Sequence, residues 1–325
     1  MSSVLGLRLL RPSCAVNRLQ CRLKYRNMSR THGSILTHDP IKLECTEFIP
    51  SDGNATQGPL IILHGLFGSK RNWVSMCKAF HSQMPTHPIY ALDLRNHGTS
   101  PHATPMTYEA MAGDVHAFIQ ERGMKDVSLL GHSMGGKVAM SYALSLEKWN
   151  VSPGTLGKLI IADIAPSIGN LSPEFIRYIG AMQKIEALPF GKIKTRTDAD
   201  HILQAYESDV SVRQFLLTNL RLPHAHEPSK AKFIVPLSIL SKSMEALGSF
   251  PYEFNAADNI VPVTFDGPTL AIKGTKSPYI NHKNIPALRA FFPNVQLEEL
   301  DANHWVHAEK PHEFKKLVVD FLNDN

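Results

Sequence analysis

From about Gly58 onward, short apolar runs alternate with stretches of helical periodicity, and this alternation limits the chain to very few folds. The runs are Leu60 to Leu63, Ile89 to Leu92, Val127 to Leu130 and Leu159 to Ile161, with helical patterns over 70–81, 107–122 and 134–148 between them. Strands separated by helices cannot pair as hairpins, so they form parallel crossover units in a sheet covered on both faces. After Pro166 the alternation stops, and residues to about 250 read as helices over 172–188, 198–220 and 233–248. It resumes with Thr269 to Ile272, a helix near 284–292, Val295 to Leu300 and a closing helix over about 312–322. The prediction is an α/β domain over 38–325, its mostly parallel sheet interrupted by an all-helical lid at about 167–250.

Within that frame one segment carries chemistry. The strand Val127-Ser128-Leu129-Leu130 runs through Gly131-His132-Ser133-Met134-Gly135 directly into a helix, which is the context of a nucleophile elbow. Glycines are needed at 131 and 135 because a sharp strand-to-helix turn brings its neighbours close, leaving the serine projecting. An acyl-transferring serine needs donors for the oxyanion. One is expected from the backbone N–H of Met134, the other from Leu66, in the His64-Gly65-Leu66-Phe67-Gly68 loop after the strand at 60–63. His64 itself is read as a buried residue shaping that loop.

The general base is expected after the last strand, where His304 lies in the short loop Asp301-Ala302-Asn303-His304-Trp305; His307 is the alternative base, read otherwise as surface polar. The acid is less obvious, because Lys273-Gly274-Thr275-Lys276-Ser277-Pro278-Tyr279, after the strand at 269–272, holds no carboxylate. Asp266 precedes that strand and falls at the wrong end of the sheet. Functional groups of parallel sheets gather at the carboxyl ends of strands, which selects Asp163 in Leu159-Ile160-Ile161-Ala162-Asp163-Ile164-Ala165-Pro166. Asp93 also ends a strand and is read as ordering its own loop.

These stretches, with Asn72-Trp73, Asp93-Leu94-Arg95-Asn96-His97-Gly98 and Lys137, resemble the α/β-hydrolase superfamily. More narrowly they resemble a group of small bacterial esterases, mitochondrial abhydrolases and yeast ethanol acetyltransferases. The resemblance spans about residues 40 to 325, and a longer stretch from Glu147 to Gly157 departs from it. It implies that Asp163 is the acid of a Ser133–His304–Asp163 triad and that Ser277 replaces the usual carboxylate. It further implies acetyl-CoA as donor substrate, ethanol as acceptor and ethyl acetate as product, with ester and thioester hydrolysis alongside. A carboxylesterase or thioesterase using water alone would share every one of these residues. A non-enzymatic binding protein on this fold would more often lack a triad member, and dehalogenase or epoxide-hydrolase chemistry would require a carboxylate at 133.

Charge and cysteine content narrow the rest. Residues 1 to 30 hold Arg8, Arg11, Arg18, Arg22, Lys24, Arg26 and Arg30 and no acid; without these seven, 27 basic residues face 29 acidic ones. The body therefore offers no footprint for nucleic acid. The basic, Ser-containing start, with Val4, Leu5, Leu7, Leu9 and Leu10 among its cations, suits a mitochondrial presequence handed to the import machinery. No apolar run reaches 18 residues, so no membrane span is expected. Cys45 and Cys77 show no metal-ligand spacing, and neither metal nor cofactor is expected.

Overall fold

The apolar runs become the centre of a seven-stranded sheet in the computed structural model, which describes residues 38–50, 53, 55–169, 172–223 and 230–324. The fold occupies Pro40–Asn325; the expected presequence at 1–30 lies outside the described residues. The strands are β1 (Glu44–Phe48), β2 (Leu60–Leu63), β3 (Ile89–Asp93), β4 (Val127–His132), β5 (Leu156–Ala162), β8 (Thr269–Gly274) and β9 (Val295–Leu300), with a separate hairpin of β6 (Leu220–Arg221) and β7 (Lys232–Phe233). Their order is β1-β3-β2-β4-β5-β8-β9. Every neighbouring pair is parallel except β1 with β3.

Period-two alternation splits each central strand between two cores. Ile61, Leu63, Leu129, Leu159 and Ile161 point to one face, while Leu60, Ile62, Leu130, Ile160 and Ala162 point to the other. The helices in chain order are α1 (Val74–Gln83), α2 (Tyr108–Glu121), α3 (Met134–Leu144), α4 (Pro173–Ala187), α5 (Arg196–Leu203), α6 (Val210–Leu217), α7 (Leu237–Lys242), α8 (Met244–Gly248), α9 (Ile285–Phe291), α10 (Val306–Glu309) and α11 (Pro311–Asn323). Cys77 and Phe80 of α1 and Phe314 and Val318 of α11 cover the second face. Met111 and Val115 of α2, Val138 of α3 and Phe291 of α9 join the first. Each fully buried Leu or Ile contributes about 1.5–3 kcal/mol of transfer free energy, so the sheet centre is the most resistant part of the fold.

The structure departs from expectation at four places, the first being the helix read over 233–248, which is the end of β7 followed by the two short helices α7 and α8. The edge strand β1 was not anticipated, because half-exposed Glu-Cys-Thr-Glu-Phe lacks the apolar run of a two-sided strand. The insertion is not all helical, since β6 and β7 pair antiparallel within it. The helix expected over 198–220 is two, α5 and α6. Thr195 and Asp198 form a capping box that starts α5 earlier, at Arg196, and Asp209 caps a fresh start by accepting from Ser211 N–H. Arg213 then occupies the break, donating to the carbonyls of Glu207 at 3.0 Å and Ser208 at 2.8 Å.

Candidate active site

Ser133 sits between β4 and α3 with φ 54° and ψ −118°, a conformation that L-residues seldom adopt and that costs about 1–3 kcal/mol. The surroundings hold it there. Its N–H donates to Ala162 O at 3.1 Å. A Cβ on Gly131 would lie 2.2 Å from Gly135 O, and one on Gly135 would lie 2.4 Å from Leu63 O, so β2, β4 and α3 approach this closely only without side chains.

Asp163 leaves the end of β5 at φ 51° and is fully buried. Its Oδ1 accepts the Gly274 N–H at 2.9 Å, and its Oδ2 accepts His304 Nδ1 at 2.7 Å and also the Ser277 hydroxyl. The strand end that lacks a carboxylate thus supplies a hydroxyl donor to the one that has it. With Nδ1 donating, His304 Nε2 carries the lone pair, the tautomer a general base needs. The His304 carbonyl is fixed in turn by His132 Nε2 at 2.9 Å.

His307 is not surface polar, contrary to expectation. It is half-buried, stacked on Trp73 at 4.2 Å between ring centroids, and edge-on to His132 at 4.6 Å. Burial, then the neighbouring His304, lower its pKa to about 3. Burial likewise holds His132 well below the ordinary imidazole range, with His307 and His304 adding to the effect. Both rings behind His304 are therefore neutral near pH 7.

Two cavities meet at Ser133. The larger, about 180 Å³, is bordered by Ser133, His304, Phe175, Phe215 and Trp305; the smaller, about 110 Å³, is bordered by Ser133, Met134, Lys137, Ile164 and Leu247. Leu66 borders both. The backbone N–H groups of Leu66 and Met134 donate to no acceptor among the described residues and remain available beside the serine.

The remaining candidates lie elsewhere or are occupied. His64 donates from Nδ1 to Gly65 O at 2.8 Å and accepts Leu94 N–H on Nε2 at 3.1 Å, which spends both nitrogens on loop geometry. Asp93 accepts the N–H groups of Lys70 at 2.7 Å and Thr99 at 2.8 Å and pairs with the Lys70 ammonium. Exposed Asp266 precedes β8, away from the strand ends that carry Asp163 and Ser277. No cluster of three His, Cys, Asp or Glu able to hold a metal occurs among the described residues, nor any helix long and apolar enough to cross a membrane.

Sequence reasoning assigned no role to His132 or Lys137, and offered His307 only as the alternative base. The signal for Lys137 was present: it follows Ser133 by four residues, on the same helical face, in a helix otherwise made of small and apolar residues.

A family model described as "alpha/beta hydrolase fold" matches residues 58–311. The sn-1-specific diacylglycerol lipase ABHD11 of Xenopus tropicalis is 38% identical over 275 residues, covering 83% of this chain and 80% of that protein. Ethanol acetyltransferase 1 of Wickerhamomyces anomalus is 30% identical over 283 residues, covering 82% of this chain and 69% of that protein. Among solved structures, a marine microorganism esterase superposes with a TM-score of 0.74 at 32% identity, covering 86% of this chain and 99% of its own.

Proposed function

The chain belongs to the α/β-hydrolase fold family and is an acyl-transferring serine hydrolase, and on that premise we propose that it transfers an acetyl group from acetyl-CoA to ethanol, with hydrolysis of esters and thioesters alongside. The carrying observation is the Asp163–His304 pair at 2.7 Å, with His304 bordering the larger of the two cavities that meet at Ser133. In this reading His304 Nε2 takes the Ser133 proton as Oγ attacks the thioester carbon. The developing oxyanion is met by the N–H groups of Leu66 and Met134. Collapse breaks the C–S bond, the CoA sulfur leaves with the proton held by His304, and an acetyl ester remains on Ser133. Ethanol then attacks that ester while giving its proton to His304. Ethyl acetate departs and the proton returns to Ser133. Asp163 keeps the imidazole in the required tautomer and stabilises its charged form.

Every covalent step uses groups of this chain, so the reading requires no cofactor; acetyl-CoA enters as substrate. A small acyl lobe supports a short donor, and the relative named ethanol acetyltransferase supports the alcohol. The competing reading, water as sole acceptor, is supported by the relatives named diacylglycerol lipase and the structure named esterase. Water and ethanol differ by two carbons, whose burial is worth about 1–2 kcal/mol, so alcoholysis should not silence hydrolysis. Purified protein with constant acetyl-CoA and graded ethanol separates the readings. Ethyl acetate should rise as free acetate falls; acetate release indifferent to ethanol, without ethyl acetate, leaves hydrolysis as the reaction. We further propose that residues 1–30 direct mitochondrial import, which a reporter bearing them that stays cytosolic would refute.

A further inference from the structure

A lysine buried beside a candidate nucleophile, with no carboxylate paired to it among the described residues, calls for a reason. Lys137 is 6% exposed. Its ammonium donates to Ser167 O and Ser249 O, both at 2.8 Å, and to Gly248 O at 3.4 Å, which uses all three protons. Ser167 lies where the chain enters the insertion between β5 and β8; Gly248 ends α8, and Ser249 is its C-cap. One side chain on α3 therefore holds both stems of that insertion. Two further ties act at the same place. Gly169 N–H donates to Gly248 O at 3.0 Å, joining stem to stem, and Tyr108 of α2 donates its hydroxyl to Leu247 O at 2.7 Å. The ammonium also lies 5.3 Å from the Tyr108 ring centroid, a favourable cation–π placement.

These tied segments form the wall of the smaller lobe, bordered by Lys137, Tyr108, Ser167, Gly169, Leu247 and Gly248. The chemistry of acyl transfer says what each lobe holds. A leaving group must receive its proton from His304, and an incoming alcohol must surrender one to it, so both belong in the larger lobe, which His304 borders. Met134, whose N–H faces the oxyanion, borders the smaller lobe, and His304 does not. The acyl group attached to Ser133 is thereby directed into the smaller lobe.

We propose that Lys137 is a specificity-determining residue: by tying both stems of the insertion to the nucleophile helix it closes the end of the acyl lobe and limits the length of acyl chain the enzyme accepts. The proposal rests on the acyl-enzyme reading of Ser133. A lysine that served only to stabilise the fold would, when lost, lower kcat/KM for all chain lengths alike. A lysine that closes the lobe changes the ratio between them.

The test uses the full chain and the acetate, butyrate, hexanoate and octanoate esters of p-nitrophenol, with wild type, Lys137→Met and Tyr108→Phe. Lys137→Met keeps an unbranched chain of similar length but no donors, and should raise the octanoate-to-acetate ratio of kcat/KM by at least about tenfold, the lower end of the discrimination that one methylene sets in an apolar pocket. Tyr108→Phe, which removes one hydroxyl and leaves Lys137 in place, should move the ratio the same way by less, and it decides the matter if Lys137→Met does not fold. A ratio unchanged in the folded variants overturns the proposal. Fluorophosphonate labelling separates this failure from that of the underlying reading. Labelling at Ser133 with an unchanged ratio sinks the role of Lys137 alone, whereas wild type that does not label at Ser133 sinks both.

Discussion

Two aspartates stand at strand ends of the same sheet, with β2 and β4 between their strands, and they have opposite fates. Asp93 closes β3 and Asp163 follows β5; both are at most 1% exposed, and both accept backbone N–H groups. Asp93 meets the ammonium of Lys70 and the N–H of Thr99 six residues on, so its bonds close a loop upon itself. Asp163 meets His304, 141 residues away, a ring that can gain and lose a proton at the edge of a cavity. Burial alone would push the Asp93 carboxyl up, but hydrogen bonds from Lys70 and Thr99 together hold it below the ordinary carboxylate range. What makes a strand-end carboxylate functional is thus neither its place nor its burial, but whether its partner is an imidazole at the edge of the cavity.

The comparison breaks first at the serine and the histidine that give Asp163 its meaning. Ser133→Ala and His304→Ala should each lower kcat by about 10⁶-fold, because nucleophile and base act as one unit, with circular dichroism unchanged. Turnover near wild type in either folded variant would void it. Next in size is Asp163→Asn, expected to cost about 10⁴-fold in kcat by favouring the wrong imidazole tautomer. Ser277→Ala removes one donor from the Asp163 carboxylate; a hydrogen bond to a charged group is worth about 1.5–3 kcal/mol, so roughly a ten- to hundredfold loss is expected.

Asp93→Asn supplies the opposite limb. Loss of a buried, paired carboxylate should reduce unfolding free energy by about 2 kcal/mol while kcat stays within about tenfold of wild type. Because the folded pKa of Asp93 is depressed, its stabilisation is fully present above the unfolded value of 3.8 and is lost as pH falls through the folded value. Chemical denaturation between pH 6 and pH 3, roughly, should therefore show a shallower acid loss in the variant than in wild type. The smallest effect belongs to exposed Asp266→Asn, which should leave both turnover and stability unchanged. If that variant were inactive instead, the order of the strands after the insertion would be in question.

How much of this was legible in the sequence follows the same physics. Strands buried on both faces declare themselves as apolar runs: β2, buried at every residue, has the predicted bounds, and Ser133 is recognisable because only glycine fits at 131 and 135. Asp163 could be reached by elimination, since strand ends are few. What stayed hidden depends on partners far along the chain. The half-exposed β1 is a strand because β3 offers an edge, and the break at Glu207 depends on Arg213 turning back to its carbonyls. Histidine carries no mark of burial in its own sequence context, so the stack of His307 on Trp73 was out of reach, as were the carbonyls that Lys137 binds 30 and 112 residues away.

The most direct test of the acyl-enzyme itself is to trap it. Mixing the full chain with acetyl-CoA, quenching in acid within one turnover and mapping peptides by mass should find one acetyl group on the peptide containing Ser133. That signal should be absent in Ser133→Ala, and ethanol should hasten its decay in wild type while ethyl acetate appears. Product formed at the wild-type rate with no acetyl on Ser133, or with acetyl on another residue, would contradict the account.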